Sequence, residues 1–194
     1  WFELYLQGLY MQRLILASKS PRRRELMDLL KIPYEVIVSE ADESIDSNND
    51  LRKEIEHLAY KKAETVFKDN RDAVVVGADT IVVINNEVLG KPKDEDDARR
   101  MLRLLSNNVH KVITGVCILS EGKIDNFSCV TKVYFNEMSE EEIDEYVASF
   151  EPMDKAGSYA IQGLGAKYIR AIEGDYYTVM GLPIAEVYKR LKSF

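Results

Sequence analysis

The stretch that most constrains the fold is Ala73-Val74-Val75-Val76-Gly77-Ala78-Asp79-Thr80-Ile81-Val82-Val83-Ile84. A run this long, this apolar and this rich in β-branched residues predicts a long buried strand. Asp79 does not belong there on hydrophobic grounds. A carboxylate near the middle of such a strand is costly unless it is paired, hydrogen-bonded or bound to metal. Gly77-Ala78, just before it, leaves room for backbone or a ligand to come close. Asp79 is therefore a candidate functional carboxylate. The alternative is a structural aspartate that caps a loop or faces solvent from a one-sided sheet.

The flanking sequence supplies the rest of the fold. Leu14 to Ala17 predicts a short strand, and a helix follows over about 21–31, with Ser20 as its cap and Pro21 in its first position. Tyr34 to Val38 reads as a second strand, residues 39–50 as a polar loop, and Leu51 to Lys68 as a helix. Asn85-Asn86 turns the long strand into Glu87-Val88-Leu89. A helix from Asp94 to Leu105 precedes a hairpin, Lys111–Ser120 and Lys123–Phe135, turned at Glu121-Gly122. Ser139 and Glu142 form a capping-box pattern that opens a helix ending near Ser149. Residues 151–165 are glycine-rich turns, Lys167–Ile172 and Tyr176–Val179 predict strands, and Leu182 to Leu191 predicts the closing helix. Strands alternating with helices define an α/β class, a twisted sheet flanked by helices, and the hairpin makes that sheet mixed.

The 194 residues suit one domain or a compact two-lobed unit. Residues 1–10 are set aside: Glu3-Leu4-Tyr5-Leu6-Gln7-Gly8 resembles a protease-site linker of recombinant expression, and Met11 suits a natural start. That segment lacks the basic region and small-residue cleavage site of a secretory signal. No apolar stretch reaches the length of about 18 residues that a membrane span needs. Cys117 and Cys129 lack metal-ligand spacing, which favours reduced thiols and a cytoplasmic protein. Lys and Arg total 26 against 33 Asp and Glu, a net charge of −7. That balance argues against a nucleic-acid-coating protein, so any polyanion must meet a local basic cluster.

Such a cluster is present. Arg22-Arg23-Arg24 opens the first predicted helix, where positive charge opposes the macrodipole at about 0.3–1 kcal/mol per charge. Helical rotation sets Arg22 and Arg23 beside the buried face and turns Arg24 away. A phosphate bound at the helix N-terminus would remove the conflict; a solvated turn balanced by Glu25 and Asp28 is the bland reading. Lys62 falls near the centre of the apolar stripe Leu51, Ile55, Leu58, Ala59, Ala63 and Val66. It either snorkels outward or points inward toward phosphate. Gly90-Lys91-Pro92 offers a further lysine in a restricted turn, and Glu40, Asp42 and Glu43 form an acidic loop. His57 and His110 have neither ligand spacing nor a triad partner. Cations with a few carboxylates suit a phosphate ester and a hard, oxygen-bound ion. With no Walker loop and no GxGxxG fingerprint, neither of those phosphate-binding routes applies.

Four motifs in order resemble the Maf family of nucleotide pyrophosphatases, from about Leu14 to the C-terminal helix. They are Ser18-Lys19-Ser20-Pro21-Arg22-Arg23, Gly77-Ala78-Asp79-Thr80, Gly90-Lys91-Pro92, and Asp154-Lys155-Ala156-Gly157-Ser158-Tyr159-Ala160-Ile161-Gln162-Gly163. The resemblance implies one domain over 11–194, with two lobes around a central cleft. The implied fold is anvil-like, related to inosine triphosphate pyrophosphatases. It also implies cleavage of a nucleoside triphosphate to monophosphate and pyrophosphate with magnesium or manganese, and a homodimer. Asp79 matches the family's catalytic proton acceptor, and Glu43 its metal-associated carboxylate, with Asp42 as the neighbouring option. Ser18, Arg23, Lys62 and Lys91 match phosphate-side positions. Arg22, Thr80 and Gln162 match the dTTP/UTP branch, where they are expected to read the base. The rival expectations are a 7-methyl-GTP or other modified-nucleotide pyrophosphatase, and a non-enzymatic nucleotide-binding regulator of septum formation.

Overall fold

A computed structural model describes residues 12–40, 44–46 and 49–194. Its strands are β1 (Arg13–Ala17), β2 (Glu35–Val36), β3 (Ala73–Ile84), β4 (Glu87–Leu89), β5 (Val109–Ser120), β6 (Lys123–Phe135) and β7 (Ile169–Glu173). Its helices are α1 (Pro21–Asp28), α2 (Leu51–Phe67), α3 (Glu95–Leu105), α4 (Glu140–Ala148), α5 (Tyr176–Met180) and α6 (Ile184–Leu191), with three short 3-10 turns between Glu151 and Tyr168. Among the described residues the strands form one sheet in the order β2-β1-β3-β5-β6-β7, with β4 also paired to β3. β1 runs parallel to β2 and β3, whereas β4 on β3 and β7 on β6 are antiparallel, so the sheet is mixed as expected. Asn85 and Asn86 both take positive φ, 49° and 63°, the backbone that a two-residue hairpin turn requires.

The chain divides into two compact units. The first holds the described residues up to Asp79 together with 114–129 and 181–194; the second holds 80–113 and 130–180. In the first, Ala59, Ala63, Val66 and Phe67 of α2 pack on Ile15, Ala17, Ala73, Val75, Cys117 and Leu119 of the sheet. In the second, α3 and α4 contribute Leu102, Leu105, Ile143 and Val147 to a core with Val133, Phe135, Tyr159 and Tyr168. Each large apolar side chain buried this way stabilises its unit by about 1.5–3 kcal/mol. No helix among the described residues is long and apolar enough to cross a membrane. Cys117 is a free, buried thiol, and burial pushes its pKa up to about 12, which leaves it inert.

Several local expectations require correction. Tyr176–Val179 is helical, not extended. Asp175 Oδ2 accepts hydrogen bonds from Thr178 N (2.6 Å) and Thr178 Oγ1 (2.8 Å), and this cap outweighs the β-preference of the Tyr-Tyr-Thr-Val run. Ser20 occupies the N-cap position of α1, but its side chain makes no cap bond. Its backbone N–H instead donates to Ser18 Oγ, 3.2 Å away, so the turn is closed by Ser18. Helix α1 stops at Asp28 because the next three N–H groups bond three residues back, and Lys31 turns left-handed at φ 56°. Strand β2 keeps only Glu35 and Val36, both exposed at an edge that Arg13 holds through a two-pronged ion pair to Glu35.

Candidate active site

The site begins where α2 crosses β3. A Cβ on Gly77 would lie 2.4 Å from the Ala59 carbonyl oxygen and 2.7 Å from the Ala63 nitrogen, so the helix backbone rests directly on the strand there. Lys62 directly precedes Ala63, and Asp79 lies two residues beyond Gly77, on the same face of the strand. The close approach therefore delivers Lys62 to Asp79: Nζ to Oδ1 is 3.1 Å, with the side chains 8% and 17% exposed. Lys62 points inward. The carboxylate that the strand could not otherwise bury is paired, and removing either partner would leave the other as an uncompensated, largely buried charge.

The arginine turn lies at the same end of this unit. The parallel register of β1 and β3 ends at Ala17 opposite Gly77, so the next residue on each strand is Ser18 and Ala78, with Asp79 one step further. Ligands of open α/β sheets bind outside the carboxyl ends of parallel strands, and Ser18 begins the loop that leaves β1 there. Ser18 is buried, and its Oγ accepts from Ser20 N and, at 3.3 Å, from an Arg23 terminal nitrogen. Arg23 is also buried, and its Nε donates to the Gly181 carbonyl at 2.7 Å. Arg22 is half-buried and Arg24 exposed, as helical rotation requires. Ser18, Arg23, Lys62 and Asp79 thus belong to one unit, at the end of β1 and the adjoining middle of β3.

Thr80, Lys91 and Gln162 belong to the second unit. Thr80 is half-buried in β3; Lys91 and Gln162 are exposed. Two of the motifs are joined there, because Gly157 N donates to the Gly90 carbonyl at 3.1 Å and ties the lysine turn to the glycine-rich segment. Asp42 and Glu43 lie outside the described residues. Two features escaped the sequence reading. The Gly181 carbonyl, which fixes Arg23, carried no local signal at all. Glu151, an acid at the start of the glycine-rich segment, accepts from Tyr146 Oη and from the Leu164 and Gly165 nitrogens, and its position before Pro152 could have drawn notice. Burial alone would raise the Glu151 pKa, but Tyr146, the two backbone N–H groups and Lys155 outweigh it and hold the carboxyl below the usual range.

The donor chemistry fits a hard divalent cation. Asp79 offers carboxylate oxygen, and the described residues hold no cluster of three His, Cys, Asp or Glu side chains. An ion of the magnesium type takes one or two carboxylates and completes its shell with water and substrate phosphates, so it does not need such a cluster.

An α/β sheet with a buried Lys–Asp pair beside a serine-arginine turn defines a class, and the class is identifiable. The model of the Maf family, described as Maf-like protein, matches residues 13–194, and the chain belongs to that family. Among its relatives, the dTTP/UTP pyrophosphatase of Bacillus cereus strain B4264 is 50% identical over 184 residues, covering 95% of this chain and 96% of its own. That of B. cereus strain ATCC 10987 / NRS 248 is 48% identical over 188 residues, covering 97% and 93%. A third, from Bacillus thuringiensis subsp. konkukian strain 97-27, is 50% identical over 184 residues.

Proposed function

We propose that this chain hydrolyses dTTP and UTP to the nucleoside monophosphate and pyrophosphate with a divalent cation. The observation that carries this reading is the largely buried Lys62–Asp79 pair, set in β3 just past the point where β1 ends and gives way to Ser18 and the Arg23 turn. In the reaction a water oxygen attacks the α-phosphorus, the bond from that phosphorus to the α–β bridging oxygen breaks, and pyrophosphate departs. Asp79 accepts the proton of the water as general base. Lys62 holds Oδ1 of that carboxylate and so fixes the direction of the second oxygen. A cation held by Asp79 and Glu43 would supply positive charge at the α-phosphate and align the substrate.

Arg23 and Ser18 receive phosphate oxygens, with the guanidinium plane set by its bond to Gly181. Lys91, exposed in its turn, neutralises charge that builds on the departing pyrophosphate. Arg22, Thr80 and Gln162 recognise the base by hydrogen bonding, where an unmatched polar partner gives strong discrimination. The homodimer implied by the family and the cytoplasmic setting favoured by the cysteine pattern belong to the same proposal. The test is pyrophosphate release from a panel of triphosphates, 7-methyl-GTP included, with magnesium and with manganese. Preference for UTP and dTTP is expected. Turnover of 7-methyl-GTP alone, or nucleotide binding without pyrophosphate release, would overturn the assignment.

A further inference from the structure

The segment that carries Gln162 is held by a network for which the proposed reaction has no direct use. Glu151 follows Phe150, whose φ of 62° turns the chain sharply after α4. Its carboxylate accepts three hydrogen bonds: from Tyr146 Oη at 2.6 Å, Leu164 N at 2.9 Å and Gly165 N at 3.1 Å. Tyr146 Oη in turn accepts from Ala160 N at 3.0 Å. One tyrosine–carboxylate pair therefore anchors the backbone on both sides of Ile161-Gln162-Gly163. The turn closes tightly on it, because a Cβ at Gly163 would lie 2.0 Å from Glu151 Oε1. Lys155 steadies the near end by donating to the Glu151 carbonyl at 2.9 Å. Ile161 is buried in the second core, while Gln162 is directed outward from this fixed turn.

We propose that Tyr146 and Glu151 are positioning residues that fix Gln162 and thereby set discrimination among nucleobases. The inference rests on the reading of Gln162 as a base-recognising side chain. An amide selects one base edge over another only if its donor and acceptor are held in place before the base arrives, and a displacement of about 1 Å suffices to lose that selectivity. Bonds from backbone N–H groups to an ionised carboxylate are shorter and stronger than neutral ones, which suits a rigid anchor. The buried Tyr146 hydroxyl, whose pKa burial and Glu151 both push upward, stays protonated and donates to the carboxylate.

Steady-state kinetics with UTP and CTP test this in Tyr146→Phe, Glu151→Gln and Gln162→Ala, each assayed well below its thermal unfolding midpoint. Tyr146→Phe and Glu151→Gln are each expected to lower the UTP-to-CTP ratio of kcat/KM about tenfold, mainly through a higher KM for UTP. The double variant is expected to be no worse than the more affected single one, because the two side chains serve one network. A purely structural role would lower the unfolding midpoint and leave the ratio intact. An unchanged ratio in both variants, with a reduced one in Gln162→Ala, overturns the positioning role alone. An unchanged ratio in Gln162→Ala overturns the base-recognition reading, and this inference with it. If Tyr146→Phe fails to fold, the isosteric Glu151→Gln carries the test.

Discussion

At the scale of single residues, the chemistry lies in charges placed where hydrophobic burial disfavours them. Lys62 and Asp79 tolerate their surroundings because each answers the other across 3.1 Å. Lys62→Met should therefore destabilise the protein by about 3–5 kcal/mol, since it strands the carboxylate. Adding Asp79→Asn to that variant should restore much of the loss. Urea unfolding of the two single variants and the double variant measures the coupling, and strict additivity would show that the pair is not a unit. The oddity of Asp79 in its strand and of Lys62 in its stripe was readable from the sequence alone. That they meet was not, because a contact between residues 17 positions apart depends on how α2 lands on β3. Arg23 shows the same limit more sharply, since its partner Gly181 is 158 positions away.

Elements were legible in proportion to how much of their signal is local. Strand β3 matches its predicted span, because a long apolar run has few other ways to be buried. The capping box at Ser139 and Glu142 forms with both of its bonds, again a pattern contained within four residues. Tyr176–Val179 misled because side-chain preference there competes with a cap from Asp175, and the cap wins. The contact of α2 with β3 supplies the test at this scale. Gly77→Ala would drive a methyl group into the Ala59 and Ala63 backbone, which cannot retreat as a flexible side chain could. The expected destabilisation is about 1–3 kcal/mol, with reduced turnover as Lys62 shifts away from Asp79. A denaturation midpoint and an activity both equal to wild type would contradict that account of the site.

At the scale of the whole molecule, global stability should carry the mark of His110. Its side chain is buried against Phe135 and Tyr159, with Nε2 2.7 Å from the Tyr159 hydroxyl. Burial lowers its pKa from the ordinary 6.5 to about 3. The unfolded chain binds a proton there as pH falls through 6.5, whereas the folded chain does so only near 3. Stability is thus intact above 6.5 and falls by about 1.4 kcal/mol per pH unit within that window. Unfolding free energies at pH 7 and pH 5 should show the slope, and His110→Gln should flatten it; an equal slope in that variant would assign it to other groups.

Pyrophosphate release depends on Asp79, held by Lys62 in β3 just past the end of β1. The most direct measurement is pyrophosphate production from UTP by wild type and by Asp79→Asn, with circular dichroism to check the fold. Rapid release by the wild type is expected, with a loss of about a thousandfold or more in a folded variant, since general base and ion ligand are removed together. Wild-type release by a folded Asp79→Asn protein would contradict that dependence.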